Sequence, residues 1–227
     1  MPSLSTSSLQ EVRIPAGAAW LYGDLALPAE FIGVVLFAHG SGSGRHSARN
    51  RLVATRLQQA GVATLLFDLL TAEEEQVDMH TREHRFDIAL LTRRMEEAAI
   101  WATHQPALRG LPIGFFGAST GSAAALIAAA KMGKRVAAVV SRGGRPDLAG
   151  AAALAEVTAP TLLIVGGADR EVLTLNLEAY ECLRCTKRLV EVPGAGHLFE
   201  EPGTLEQVGD LAAGWFTRYL LRTEQVA

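Results

Sequence analysis

The chain has 227 residues, of which 49% are hydrophobic and 20% charged, and its 21 basic and 24 acidic side chains give a net charge of −3. That composition excludes a disordered or collagen-like chain, and the length supports one core that buries roughly 70% of the surface an unfolded chain exposes. The near balance of charge, with no cluster of Lys and Arg, excludes the footprint of a nucleic-acid binder.

The opening MPSLSTSSLQEV has no basic segment followed by an apolar run, and nothing later approaches an uninterrupted apolar span of about 18 residues. A cytoplasmic protein with no membrane partner is expected. Strands are predicted at 9–14 and 19–27, joined by Pro15-Ala16-Gly17, which reads as an antiparallel hairpin at one sheet edge. Further strands follow at 33–38, 62–68, 113–118, 136–141, 161–166 and 188–192. VVLFA, ATLLF, AAVV and TLLIV are apolar at consecutive positions, the pattern of parallel strands buried on both faces.

Helical patterns fill the gaps. Ile88, Leu91, Met95, Ala98 and Ala102 share one face, as do Leu205, Val208, Ala212, Trp215 and Tyr219. Alternating strands and helices predict an α/β fold, a mostly parallel sheet with helices on both faces, built as a single domain over residues 1–227. Residues 69–85 break the rhythm. Their Glu73-Glu74-Glu75 run reads as a solvated loop, with a lid or substrate-lining loop as the functional alternative. His80 and His84 lack a third ligand at metal spacing, and Cys182 and Cys185 lack the second pair of a zinc site. Cys182 instead continues the stripe of Val172, Leu175 and Ala179, so no metal and no organic cofactor are expected.

The chemistry-bearing segment is Gly117-Ala118-Ser119-Thr120-Gly121, between a predicted strand and an alanine-rich helix. A serine on so sharp a turn needs small neighbours, and the helix that follows brings backbone N–H groups to a developing negative charge. A serine hydroxyl needs a base, and the base needs an orienting group. Asp169 follows the strand at 161–166 and His197 follows the strand at 188–192, so both are placed past the carboxyl ends of parallel strands, where open sheets gather their sites. Asp147 is the rival to Asp169.

His39-Gly40-Ser41-Gly42-Ser43-Gly44 follows the third strand and matches neither phosphate-binding glycine pattern. Its glycines let the backbone approach a carbonyl, so the oxyanion hole is assigned to the N–H groups of Ser41 and Thr120, with His39 a structural residue beneath the loop. Arg142, in Ser141-Arg142-Gly143-Gly144-Arg145, and Arg45, beside the oxyanion loop, are candidates to bind a substrate carboxylate; the alternative is that these arginines are solvated or hold a carboxylate such as Asp147.

Together these residues resemble the α/β-hydrolase family, and the small size without a cap domain is similar to the dienelactone hydrolase group. The resemblance runs from Val34 to Tyr219. It implies an eight-stranded sheet and hydrolysis through an acyl-enzyme, with Ser119, His197 and Asp169 as the catalytic residues. Dienelactone hydrolases use a cysteine nucleophile and a glutamate near the oxyanion loop; here the nucleophile position is Ser119, and no acidic residue lies between His39 and Arg56. The expected substrate is a small soluble carboxylic ester or lactone. An acyltransferase or small-peptide hydrolase would use the same triad, and a non-catalytic binding protein could share the fold.

Overall fold

The computed structural model describes residues 7–221. Its eight strands are β1 (Ser8–Ala16), β2 (Ala19–Leu27), β3 (Val34–Ala38), β4 (Ala63–Phe67), β5 (Ile113–Ala118), β6 (Val136–Arg142), β7 (Thr161–Gly166) and β8 (Lys187–Val192), in the spatial order β1-β2-β4-β3-β5-β6-β7-β8. The hairpin is antiparallel and β2 meets β4 antiparallel; every other neighbouring pair is parallel. The expected hairpin, parallel sheet and helices on both faces are all present.

The buried strands work as their composition demands. Val34, Leu36 and Ala38 of β3 enter the core on one face while Val35 and Phe37 enter the core on the other. The first face is covered by α3 (Ile88–His104), α4 (Thr120–Met132) and α5 (Ala151–Glu156), with Ala179 of α6 (Arg170–Cys182) also joining that core. The second face is covered by α1 (Ala48–Gln59) and α7 (Thr204–Leu220), whose Val208, Ala212, Trp215 and Tyr219 are buried as the helical spacing requires.

Register and topology determine where a site can form. Ala38 pairs with Gly117, Ala118 with Arg142, and Gly166 with Val192, so the parallel strands end level with one another. The chain runs from β3 to β4 on one side and returns to β5 on the other, which opens the crevice of a topological switch point at the ends of β3 and β5. Helix α4 must approach that crevice closely: a Cβ on Gly121 would collide with the carbonyl oxygens of Ala38 and His39.

The expectation of a solvated loop at 69–85 is corrected here. Residues Ala72–Thr81 form a helix, α2, opened by a capping box in which Thr71 Oγ1 accepts from Glu74 N–H at 3.2 Å and Glu74 accepts from Thr71 N–H at 2.8 Å. Glu74 is also ion-paired with the buried Arg94 at 2.8 Å. The helix has no apolar stripe because caps, first-turn acids and ion pairs fix it in place of an apolar face.

Candidate active site

Ser119 lies between β5 and α4 with φ 50° and ψ −125°, a left-handed conformation that only a handful of non-glycine residues adopt. The surroundings hold it there. Ser119 N–H donates to the Arg142 carbonyl at 3.3 Å, and the Ser119 carbonyl accepts from Arg145 N–H at 3.0 Å and Ser122 N–H at 3.1 Å. The end of β6 and the residues after it therefore clasp the serine on both sides. Asn176 in turn anchors that segment, donating to the Gly144 carbonyl at 2.9 Å from a fully buried position. Neither role is visible in the sequence, because the clasp uses backbone groups that any residue carries and Asn176 reaches a backbone carbonyl 32 residues away.

His197 Nδ1 and Asp169 Oδ2 are 2.7 Å apart, with the carboxylate largely buried and the imidazole partly exposed. Asp147, the rival, is committed elsewhere: both of its oxygens accept from Arg145, each at 2.8 Å. Ser119 and His197 line one cavity of about 200 Å³ together with Gly40, Ser41, Asn50 and Arg142. Larger grooves exist, notably one of about 580 Å³ between the hairpin and α1, but it contains none of these residues.

Residues 40–44, the loop to which the oxyanion donor Ser41 is assigned, follow β3 and lie beside Ser119. Gly40 is so close to the serine that a Cβ there would lie 3.0 Å from the Ser119 Cβ, and Thr120 is the first residue of α4. His39 supports the loop from below. Leu69 N–H donates to its Nε2 at 3.0 Å, so Nδ1 carries the proton and donates to the Gly40 carbonyl at 2.9 Å. Burial holds the His39 imidazole below its usual pKa, against smaller upward effects from Gly40 and the Asp68 charge.

The two arginine candidates separate. Arg45 is not among the residues lining the Ser119 cavity; it is turned to the hairpin, where its guanidinium meets Glu11 at 3.1 Å and Asp68 at 3.6 Å and lies over the Tyr22 ring. Arg142 lines the cavity. It is buried, donates to Asn50 Oδ1 at 3.2 Å, lies over the Phe199 ring and leaves Nε without a partner. Burial, reinforced by the Arg49 charge, lowers its pKa to about 10, which still leaves it a cation at neutral pH. Asn50 and Arg49 escaped the sequence reading; their only signal was the Ser47 cap, whose side chain accepts from Asn50 N–H and places both residues in the first turn of α1.

The profile of an alpha/beta hydrolase domain family matches residues 32–208. The chain belongs to that family. A dienelactone hydrolase from Anabaena variabilis is 56% identical in sequence and superposes with a TM-score of 0.92, over 94% of this chain and 98% of that one. Est1E from Butyrivibrio proteoclasticus shares the fold at a TM-score of 0.79 but only 16% identity, over 93% and 99% of the two chains. Proteins from two strains of Mycobacterium tuberculosis, provisionally named phosphoribosyl transferases, are 56% identical over 211 residues. That match takes in 93% of this chain but 46% of theirs, so the chain spans about half the length of those relatives. Among the described residues no helix is long and apolar enough to cross a membrane.

Proposed function

We propose that this hydrolase-family chain is a serine-dependent hydrolase of small carboxylic esters or lactones. The observation that carries the reading is the 2.7 Å contact of Asp169 with His197, which lines one cavity together with a strained Ser119. With Nδ1 engaged by Asp169, Nε2 is the nitrogen left to act on the serine. Nε2 takes the Ser119 proton as Oγ attacks the acyl carbonyl, and Asp169 stabilises the imidazolium. The Ser41 and Thr120 N–H groups receive the oxyanion. His197 then passes its proton to the departing alcohol, and a water activated by the same nitrogen releases the acid and regenerates Ser119.

Arg142 is the substrate-binding residue in this reading. A buried guanidinium with an unsatisfied Nε and no carboxylate partner among the described residues is costly unless the ligand supplies the anion. Substrates with a carboxylate on the acyl side answer that need. The transferase name of the longer relatives belongs to proteins more than half of whose length lies outside the match, and Ser119, His197 and Asp169 are an acyl-transfer set.

The test is hydrolysis of p-nitrophenyl acetate and butyrate by wild type, Ser119→Ala and His197→Ala, each checked for folding. Both variants are expected to lose about 10⁴-fold or more in kcat. Wild-type inertness, or turnover by Ser119→Ala equal to wild type, would overturn the reading. Arg142→Met is expected to raise KM about 10- to 100-fold for a carboxylate-bearing ester and to spare a neutral one.

A further inference from the structure

Glu75 of α2 and Arg85 of the turn after it line a crevice with the oxyanion loop, and the one fully buried charge of that helix and turn is Asp78, 1% exposed. Its carboxylate accepts from His84 N–H at 2.8 Å, from Arg85 N–H at 2.9 Å and from Arg85 Nε–H. Arg85 Nη2 donates to the Asp78 carbonyl at 3.1 Å. Burial by itself would raise the Asp78 pKa, yet the hydrogen bonds from Arg85 and His84 and the Arg85 charge outweigh it and hold the carboxyl below its usual range. The guanidinium is thus fixed at two of its three nitrogens.

The third nitrogen faces the oxyanion loop. A Cβ built on Gly42, where φ is +66°, would lie 3.1 Å from Arg85 Nη1. Arg85 shares with Gly40, Ser41, Gly42 and Thr120 a crevice of about 10 Å³, room for little more than one water, so the guanidinium is packed onto the loop rather than facing it across solvent. The loop needs such a support. Glycines at 40, 42 and 44 give its backbone freedom, and apart from its own turn, closed by Ser43 N–H donating to the Gly40 carbonyl at 3.2 Å, its fixed points are His39 at one end and, at the other, Arg45 N–H, which donates to Asp68 Oδ1 at 2.8 Å.

We propose that Arg85, anchored by Asp78, is a positioning residue that presses residues 40–44 toward the elbow and keeps the Ser41 N–H aimed at the oxyanion. The proposal rests on the ester-hydrolase reading for its kinetic consequence and on geometry alone for its structural one. Oxyanion donors act only if they are aligned before charge develops. Loosening the loop therefore lowers kcat and leaves ground-state binding nearly unchanged.

The experiment compares wild type with Arg85→Met, which keeps the apolar stem, and Arg85→Ala. Three quantities are read: kcat and KM for p-nitrophenyl acetate, the affinity for phenylboronic acid as a tetrahedral adduct of Ser119, and amide hydrogen exchange at residues 39–44. Expected are a fall in kcat of about 10- to 100-fold, a KM within about threefold, a parallel loss of boronate affinity, and faster exchange in the loop. Asp78→Asn, which keeps the anchor's shape and weakens its grip, is expected to show the same signature at smaller amplitude and decides the matter if the Arg85 variants do not fold. Loop exchange equal to wild type, or kcat and boronate affinity within about twofold of it, overturns the proposal. If the wild type turns over no ester, the hydrolase reading fails while the exchange arm still tests the brace.

Discussion

Ser119→Gly should stabilise the protein while abolishing its chemistry. Ser119 is held at φ 50° and ψ −125°, a region that costs a non-glycine residue about 1–3 kcal/mol. Glycine adopts it freely but brings extra backbone entropy to the unfolded chain, worth about 0.4–1 kcal/mol against folding. The Ser119 side chain makes no capping hydrogen bond to α4, so little else is lost with it. The balance centres near 1 kcal/mol in favour of the variant, which for a chain of this size is a rise in Tm of about 2–4 °C. Ser119→Ala keeps the strain and is the control, expected to melt within about 1 °C of wild type. Calorimetry on the three proteins is the assay. A Tm for Ser119→Gly below that of Ser119→Ala would refute the argument that the elbow stores strain.

Two further outcomes follow from the geometry around the triad and the loop. Asp169→Asn should lower kcat by about 10⁴-fold, because an amide in place of the carboxylate favours the wrong histidine tautomer, whereas Asp147→Asn, which disturbs only the Arg145 pair, should stay within about threefold in ester turnover assays. Stability should also fall in mild acid on account of His39. Burial depresses its folded pKa below the unfolded value of 6.5, so the unfolded chain binds the extra proton first. The contribution is therefore fully present above pH 6.5 and is lost as pH falls below it, by at most about 1.4 kcal/mol per pH unit. Urea midpoints between pH 7.5 and 5 would show this as a slope that His39→Gln flattens; identical slopes in the two proteins would contradict it.

Most of the fold could be read before any coordinates because its strands are unusually explicit. β3 is apolar at all five positions, β4 and β7 depart from an apolar run only at Thr64, Thr161 and Gly166, and the hairpin betrays itself by its short connection. Ser119, Asp169 and His197 were legible because each follows a parallel strand, and strand ends in such a sheet are level in space. Helix α2 was not, since periodicity searches for apolar stripes and this helix is held by a capping box and ion pairs; the T-x-x-E signature at Thr71 and Glu74 was the available clue. Arg45 was ambiguous for a related reason. Its position beside the oxyanion loop says nothing about the direction of a long side chain, and Glu11, Asp24 and Asp68, distant in sequence, draw it toward the hairpin. Arg142 had the same ambiguity and fell the other way, because it is the last residue of β6 and its side chain is buried at the cavity beside Asn50. The clasp of Ser119 by the Arg142 carbonyl and Arg145 N–H depends on backbone groups that any residue carries, so no inspection of side-chain types would have revealed it.

The proposed hydrolysis requires that Ser119 become covalently acylated. Rapid-quench mass spectrometry during turnover of p-nitrophenyl acetate, with peptide mapping, tests it most directly. One acetyl group per chain is expected, located on the peptide containing Ser119, accumulating in wild type and absent from Ser119→Ala. An acetyl group mapped to any other residue, or full ester turnover by Ser119→Ala, would contradict it.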